Sequence, residues 1–259
     1  MGMGGAYTAL ADDATAVFWN PAGLAQVADY QIVASHQTLF GIDDLYNEMV
    51  AVSFPLLQQQ WGLGWRQVNL LDNYYEQIIS LSSSHSFSFS HSNYLNLGLT
   101  LKNMTAVVSQ DFPNSTNPFT DILGMEFPGK FDLDIGILYH PNQNFALGVV
   151  TENLFEPRFE FVSSSDKILR NYRLGAAYNW RGNANFVLDY EWNEERGNWH
   201  VGGELWFFDV FAPRIGMNGE DLTIGFGIKT NRWFFDGAVL TNKNLGSTYR
   251  ISFGLIFEK

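Results

Sequence analysis

The chain has 259 residues, of which 15 are Lys or Arg and 27 are Asp or Glu, and it contains no cysteine. The net charge of −12 argues against a nucleic-acid partner, which requires a basic surface, and the lack of cysteine excludes disulfides, thiol catalysis and cysteine-ligated metals. Charged residues make up only 16%, below the ~25% of soluble domains, and aromatic residues also reach 16%, which indicates a chain that meets lipid over part of its surface.

The first 29 residues show no strand-like alternation. The stretch 4–25 is rich in alanine and predicts one or two short helical turns, and Asn20-Pro21 marks a turn or a helix start. Residues 1–5 carry neither the basic region nor the apolar region of an export signal. We therefore expect an exported chain to be a mature form with its signal peptide removed, a fragment, or a chain with a misassigned start.

From about residue 30 onward, large apolar residues alternate with small or charged ones. In the segment 131–140, for example, Phe131 and Leu133 share one face, and Asp132 and Asp134 share the other. A period of two predicts β-strands. Fourteen strands are predicted, near residues 31–37, 46–55, 61–69, 74–89, 94–105, 130–140, 144–153, 168–180, 185–193, 198–207, 211–217, 221–230, 232–240 and 247–258.

No stretch predicts a transmembrane helix. The longest charge-free run, 77–101, alternates and is rich in serine, whereas a spanning helix needs ~20 mostly apolar residues. Most predicted strands reach the ~9–11 residues that a tilted membrane strand needs. Connections after even strands are short and several after odd strands are longer (38–45, 106–129 and 154–167), as in outer-membrane barrels with short periplasmic turns and longer external loops.

The two faces of the predicted strands differ in charge. A soluble barrel buries its apolar face, whereas a membrane barrel turns that face outward and encloses polar residues, and periodicity alone does not separate the two. Aromatic residues near the predicted strand ends favour the membrane barrel, because Trp and Tyr concentrate at membrane interfaces. We therefore predict an all-β, fourteen-stranded antiparallel transmembrane barrel. Its candidate lumen polar residues are Arg66, Asp132, Asp134, Arg173, Asp189, Glu191, His200 and Glu204.

Glycine recurs on the polar face of the predicted strands. Glycine within a strand often marks a close backbone approach, so either a bulky object lies inside the barrel or the glycines let a small barrel curve. The N-terminal stretch is the candidate object, which predicts a hatch of residues 1–29 inside a barrel of residues 30–259. The glycines are Gly62, Gly64, Gly98, Gly136, Gly148, Gly175, Gly202, Gly225, Gly227 and Gly254. The candidate hatch or gate residues are Asp12, Asp13, Trp19, Asn20, Pro21 and Gly23.

Three groupings of carboxylate residues are candidate chemical sites. Asp12-Asp13 could bind a cation, but capping a short helix or pairing with arginine of the wall is favoured. His200 and Glu204 share a strand face, as an acid–base pair would, but a lumen polar network is favoured. Asp132 and Asp134 are interpreted as solvated lumen charge. The sequence contains no nucleophile elbow, phosphate loop or zinc signature, so we predict no enzyme activity, no cofactor and no metal.

The 106–129 connection is unusually apolar for an exposed segment. It either forms a binding site for a ligand or partner or folds inward over the barrel mouth. Its candidate residues are Phe112, Phe119, Ile122, Leu123, Met125 and Phe127.

The N-terminal stretches 3–15 and 19–25 resemble the outer-membrane transport family typified by the fatty-acid channel FadL, and more closely its shorter PorV/PorQ-like branch. This resemblance implies fourteen strands, a mature N-terminus folded into the barrel as a hatch, and handling of hydrophobic molecules. The shorter branch implies service to protein secretion and surface attachment instead. The chain is much shorter than FadL, and its external loops look small for an extended ligand groove.

The favoured function is passage or handling of small hydrophobic compounds across the bacterial outer membrane, gated by the hatch. The second hypothesis is an accessory barrel for secretion, whose loops dock a partner protein of the secretion system. The third is a soluble β-barrel or sandwich that binds a ligand inside. The expected partners are therefore outer-membrane lipid, a small hydrophobic ligand or a secretion-system protein, and no nucleic acid.

Overall fold

Period-two alternation produces fourteen hydrogen-bonded antiparallel strands that close into a barrel in the computed structural model. The structure describes residues 1–70, 74–108, 126–160, 165–242 and 245–258. The first strand closes the barrel because it pairs with both the second and the last, with Tyr30 opposite Phe257 and Ile32 opposite Val52. The predicted architecture and strand count are confirmed.

Short helical turns precede the strands, as predicted. They are α1 (Ala16–Trp19) and a 3₁₀ helix (Pro21–Gln26). The barrel strands are β1 (Tyr30–Thr38), β2 (Leu45–Leu56), β3 (Gln59–Leu70), β4 (Tyr74–Ser90), β5 (Asn93–Val108), β6 (Glu126–Asn142), β7 (Phe145–Glu152), β10 (Asn171–Trp180), β11 (Ala184–Trp192), β12 (Gly197–Leu205), β13 (Phe211–Asn218), β14 (Asp221–Lys229), β15 (Trp233–Asn242) and β16 (Gly246–Phe257). Between β7 and β10, β8 (Arg158–Glu160) and β9 (Ser165–Lys167) form a separate hairpin.

The two ends of the barrel have different connections. At the end that we call the turn end, β2 and β3 are joined through Leu57-Gln58, both with positive φ, and β10 and β11 through residues 181–183. At the opposite loop end lie the connection 39–44 and the β8–β9 hairpin. Because outer-membrane barrels have short periplasmic turns and longer outer loops, the loop end corresponds to the outside.

Two neighbouring strands extend further at the loop end than predicted. β5 continues to Val108 and β6 begins at Glu126, so the connection between β5 and β6 is shorter than the predicted 106–129. The extension is stabilised by inward apolar side chains that pack on the hairpin, among them Met104, Ala106 and Phe127. The predicted strand 168–180 begins too early, because residues 168–170 still belong to the connection that follows the hairpin.

The apolar face points outward, as the membrane-barrel interpretation predicts. Leu99 is 51% exposed and Ile224 55%, whereas the inward Asp132 and Asp189 are almost fully buried. An exposed band of this kind faces lipid in outer-membrane barrels. Not all aromatic residues near the strand ends meet lipid: Tyr74 and Tyr94 face inward, and the Tyr94 ring stacks on the His140 ring with a centroid distance of 4.3 Å. Among the described helices, none is long and apolar enough to cross a membrane.

The inward glycines lie against the N-terminal segment, which we define as residues 1–29. At eight of the ten predicted positions, an added Cβ would come within 3.0 Å of an atom of this segment; the other two, Gly227 and Gly254, meet side chains of neighbouring strands. These contacts support the explanation that the glycines accommodate an inner object. The eight are Gly62, Gly64, Gly98, Gly136, Gly148, Gly175, Gly202 and Gly225.

Candidate functional site in the barrel lumen

Asn20 and Pro21 anchor the N-terminal segment on one side of the wall. Asn20 is fully buried, and its amide donates to Thr8 O at 2.7 Å and to Ile137 O at 3.3 Å. Its side-chain oxygen accepts from Ala22 N at 3.1 Å, which caps the 3₁₀ helix with proline at the first position. The motif that the sequence singled out therefore fixes the segment to itself and to β6.

Trp19 and Gly23 complete the interior packing of this segment. Trp19 packs edge-on against Tyr7 at 6.0 Å, and the Arg173 guanidinium lies 5.2 Å from its ring centre, which is a cation–π distance. A Cβ on Gly23 would lie 2.2 Å from Ala11 O, so only glycine lets these two turns of the segment meet.

Asp189 holds the other side of the segment. Its Oδ2 accepts hydrogen bonds from the backbone N–H groups of Tyr7 and Thr8, both at 2.9 Å, and the residue is 1% exposed. His200 Nδ1 lies 2.9 Å from Gly4 O, and Gly4 N donates to Thr223 Oγ1 at 2.8 Å. Lumen side chains of the wall thus satisfy backbone groups of the segment that would otherwise be buried without partners.

Asp12 and Asp13 point to different partners. Asp12 accepts from the Tyr7 hydroxyl at 2.7 Å, and Asp13 accepts from Thr15 N at 2.8 Å in a turn just before α1. Asp12 is exposed to the inner cavity but lies inside the barrel, surrounded by protein. The resulting desolvation, followed by the charge of Asp13, raises the pKa of Asp12 to about 6, against the opposing Tyr7 hydrogen bond. In the described part of the chain, no group of three or more His, Asp or Glu side chains is placed to hold a metal ion.

His200 and Glu204 do not form an acid–base pair with each other. His200 Nε2 lies 3.3 Å from Glu191 Oε2, whereas Glu204 is 2.8 Å from Arg214 Nε and accepts from Trp206 Nε1 at 3.0 Å. Arg214 also pairs with Asp236. Each of the two residues therefore belongs to a different polar cluster, which agrees with the favoured interpretation that they form part of a lumen network.

Two further ion pairs join neighbouring strands on the lumen side near the loop end. Arg173 Nη2 lies 2.9 Å from Glu191 Oε2, and Lys102 Nζ lies 2.7 Å from Asp134 Oδ1. Asp132 accepts from Phe155 N at 3.0 Å, and Asp134 from Asn153 N at 2.9 Å. The two aspartates therefore hold the start of the connection after β7, a more specific structural role than solvated charge.

The β8–β9 hairpin packs into the barrel mouth. Phe159 is 7% exposed and contacts a cluster with Met104, Ala106 and Phe127. Phe127, predicted as a loop residue, is the second residue of β6 and faces inward. The other candidate loop residues lie outside the described residues. These are Phe112, Phe119, Ile122, Leu123 and Met125.

Two cavities lie along the N-terminal segment. The outer cavity, of about 330 Å³, lies between α1 and the hairpin and is lined by Arg66, Lys102 and Phe159 among others. The inner cavity, of about 140 Å³, is lined by Asp12, Asp13 and residues of the turn end such as Lys229. Both cavities are lined by Trp19, Met49 and Arg250, which therefore mark their junction.

The family model of the type IX secretion system membrane protein PorP/SprF matches residues 15–255. The chain belongs to the PorP/SprF family. No match to a curated protein was found. The predicted relation to a secretion-associated branch of outer-membrane barrels is confirmed, and an outer-membrane location follows from the family and its barrel fold.

Solved structures share the fold of this PorP/SprF-family barrel over nearly its whole length. A FadL homologue of Pseudomonas aeruginosa is 12% identical, with 97% of this chain and 95% of that chain covered and a TM-score of 0.61. The CymD monoaromatic hydrocarbon channel is 12% identical, with 100% and 96% covered and a TM-score of 0.66. The Ralstonia pickettii toluene transporter TbuX is 9% identical, with 100% and 96% covered and a TM-score of 0.58. The predicted resemblance to FadL-type barrels is thus confirmed at the level of fold.

Two site residues are not among the sequence predictions. Phe159 lies in the predicted loop 154–167, and Gly216, where a Cβ would lie 2.3 Å from Gly4 N, is absent from the predicted glycine set. Gly216 follows the same every-second-residue pattern as Gly202 on the neighbouring strand, so the signal was present. Phe159 carries no comparable signal, because three-residue strands are too short to show a period.

Proposed function

We propose that this barrel is a non-enzymatic accessory of type IX secretion that docks a partner protein at its loop end. The family supports the secretion role. The observation that carries docking is a set of apolar side chains exposed outside the barrel strands at this end: Ile42 at 46%, Phe155 at 63% and Leu245 at 60%. Exposed apolar patches beyond the lipid-facing band mark interaction surfaces.

The hatch supports docking over free passage. Residues 1–29 act as a hatch within the barrel of residues 30–259, held by Asn20 and Asp189. Contacts with glycines of eight strands, Gly216 included, fill part of the lumen with backbone and side chains of the segment instead of leaving an open pore. The outer cavity is also lined by charges of both signs, an environment that disfavours neutral hydrocarbons.

The docking proposal is tested with the double variant Ile42→Ser and Leu245→Ser in cells that lack the native copy of the gene. We expect surface delivery of type IX cargo to fall several-fold, and a stoichiometric partner to be lost from the barrel purified in mild detergent, because apolar contact area is removed. Leu57→Ser is the control, since Leu57 is 82% exposed at the turn end. Equal delivery by the double variant and the control contradicts the proposal.

Handling of small hydrophobic compounds is the second candidate. It is supported by the junction of the two cavities at Trp19, Met49 and Arg250, beside the hatch, and by the fold shared with hydrocarbon channels. In this mechanism the compound enters past the loops 106–129 and 154–167 and leaves when the hatch around Asn20-Pro21 shifts. Deletion of residues 1–25 is then expected to change toluene uptake. Unchanged uptake through a folded barrel argues against gating.

A further inference from the structure

Four cationic side chains line the outer cavity, and two of them already hold carboxylates. Lys102 pairs with Asp134 at 2.7 Å, and Arg173 pairs with Glu191 at 2.9 Å. Arg66 and Arg250 differ, because neither has a carboxylate within 4.0 Å in the part of the chain that the structure describes. The cavity therefore contains two guanidinium groups whose charge has no direct partner.

Arg250 is oriented but not neutralised. The neutral Gln37 Oε1 accepts from its Nε at 3.0 Å and from its Nη2 at 2.6 Å. These bonds fix the direction of the guanidinium while its charge remains. A partly desolvated charge without a counterion is costly, and an anion that binds there removes this cost.

The unpaired charges are separated along the cavity. Arg250 lines the junction of the two cavities, and Arg66 lies opposite Met49, another junction residue, in the β2–β3 register. Among the four carboxylates that line the cavity, Glu76 and Asp166 lack an ion pair within the described residues. Both lie nearer the loop end, Glu76 two residues after Tyr74 and Asp166 on the hairpin. The described residues of the lining carry no net formal charge, but the unpaired charges are positive near the junction of the two cavities and negative near the loop end.

Part of the wall above the arginines is apolar, beside Glu76 and Asp166. Met104, Ala106, Phe159 and Ile168 line the same cavity. A volume of about 330 Å³ falls in the range of small-ligand sites, which are ~300–1,000 Å³. The lining therefore fits a molecule with one anionic end and one apolar end.

We propose that the outer cavity binds a carboxylate at Arg66 and Arg250, with the apolar part of the ligand under the β8–β9 hairpin. Arginine is suited to this role because its planar fork of donors matches the two oxygens of a carboxylate. The carboxylate belongs either to a small organic acid or to the C-terminus of a short peptide. The site goes beyond the proposed docking role and does not depend on it.

The test uses the full chain in lipid nanodiscs and isothermal titration calorimetry. The probes are 3-phenylpropanoate and its uncharged analogue 3-phenylpropanamide, which have nearly the same shape. We expect the acid to bind about tenfold more tightly than the amide, because only the acid makes charge-assisted bonds to arginine. The tripeptide Gly-Leu-Phe, measured with a free and with an amidated C-terminus, tests the peptide source. If 3-phenylpropanoate binds more tightly than the free-acid tripeptide, the ligand is a small organic acid; if the tripeptide binds more tightly, the ligand is a peptide C-terminus.

The double variant Arg66→Gln and Arg250→Gln is expected to abolish the preference for the acid. Arg232→Gln is the matched control, because Arg232 is exposed at the turn end outside both cavities, and it should leave the preference unchanged. As a second variant, Arg66→Glu is expected to favour 3-phenylpropylamine over the acid. Equal binding of acid and amide by the unaltered barrel overturns the proposal, as does a preference that survives the double variant. No secretion component is present, so failure here leaves the docking proposal intact.

Discussion

Gly202→Val is expected to displace the N-terminal segment from the barrel wall, whereas Gly203→Val is expected to leave it in place. A Cβ at Gly202 would lie 2.5–2.6 Å from the O, C and Cα atoms of Met3. These are backbone atoms, so no flexible side chain can move aside. Forcing extra carbons into a close-packed contact costs ~1–3 kcal/mol. Valine itself favours strands, so the destabilisation is expected to come from the clash with Met3 and not from strand propensity.

The neighbouring glycine provides the control because successive residues of a strand point to opposite faces. The nearest atom to a Cβ at Gly203 is Asn185 O at 3.4 Å, an ordinary contact distance. The chain contains no cysteine, so Ala6→Cys, at a position that is 1% exposed, introduces a unique reporter. We expect maleimide to label this reporter about tenfold faster in Gly202→Val than in Gly203→Val. Equal rates would falsify the placement of the segment against β12.

Asp189→Ala is expected to have the larger effect on the same segment. The change leaves the buried N–H groups of Tyr7 and Thr8 without the acceptor that now lies 2.9 Å from each. A hydrogen bond to a charged group contributes ~1.5–3 kcal/mol, so the loss of two is expected to cost about 3 kcal/mol or more. This corresponds to labelling of the Ala6→Cys reporter about 100-fold faster.

Two further variants separate the charge of Asp189 from its hydrogen-bond acceptor. Asp189→Asn keeps a side-chain oxygen but loses the charge, so we expect an intermediate labelling rate. Asp44→Ala removes an exposed carboxylate of the loop end and is expected to have no effect. Thermal unfolding of the barrel, followed by gel mobility, shows whether each variant still forms the closed barrel. If Asp189→Ala labels no faster than Asp44→Ala in a folded barrel, Asp189 does not hold the segment.

The several contacts that hold the N-terminal segment have a consequence for the proposed function. Asp189 and His200 hold its first turns, and Asn20 holds the Asn-Pro turn against β6. Losing one contact is then expected to loosen one part of the segment, because distant sites act additively. Full release requires several changes at once, which favours a stable plug in a docking scaffold over a gate that opens for each molecule.

The sequence by itself determined the barrel. Strand number and the grouping of the glycines on one strand face follow from a period of two, which is a local property of the chain. The outward direction of the apolar face was predictable from the aromatic residues near the strand ends, because Trp and Tyr concentrate at membrane interfaces. The conformations of the Asn20-Pro21 turn and the short helices were also predictable, because capping and proline geometry act over a few residues.

Only the tertiary structure decided which inward side chains meet. His200 and Glu204 share a strand face, yet their partners come from β11 and β13 respectively, and register and closure set those neighbours. Arg66 and Arg250 are 184 positions apart in sequence and line one cavity because the barrel closes through β1 between β2 and β16. Phe159 packs into the barrel mouth from the β8–β9 hairpin, whose strands are too short to show a period in the sequence. Local periodicity specifies the face on which a residue lies, whereas long-range pairing specifies its neighbours.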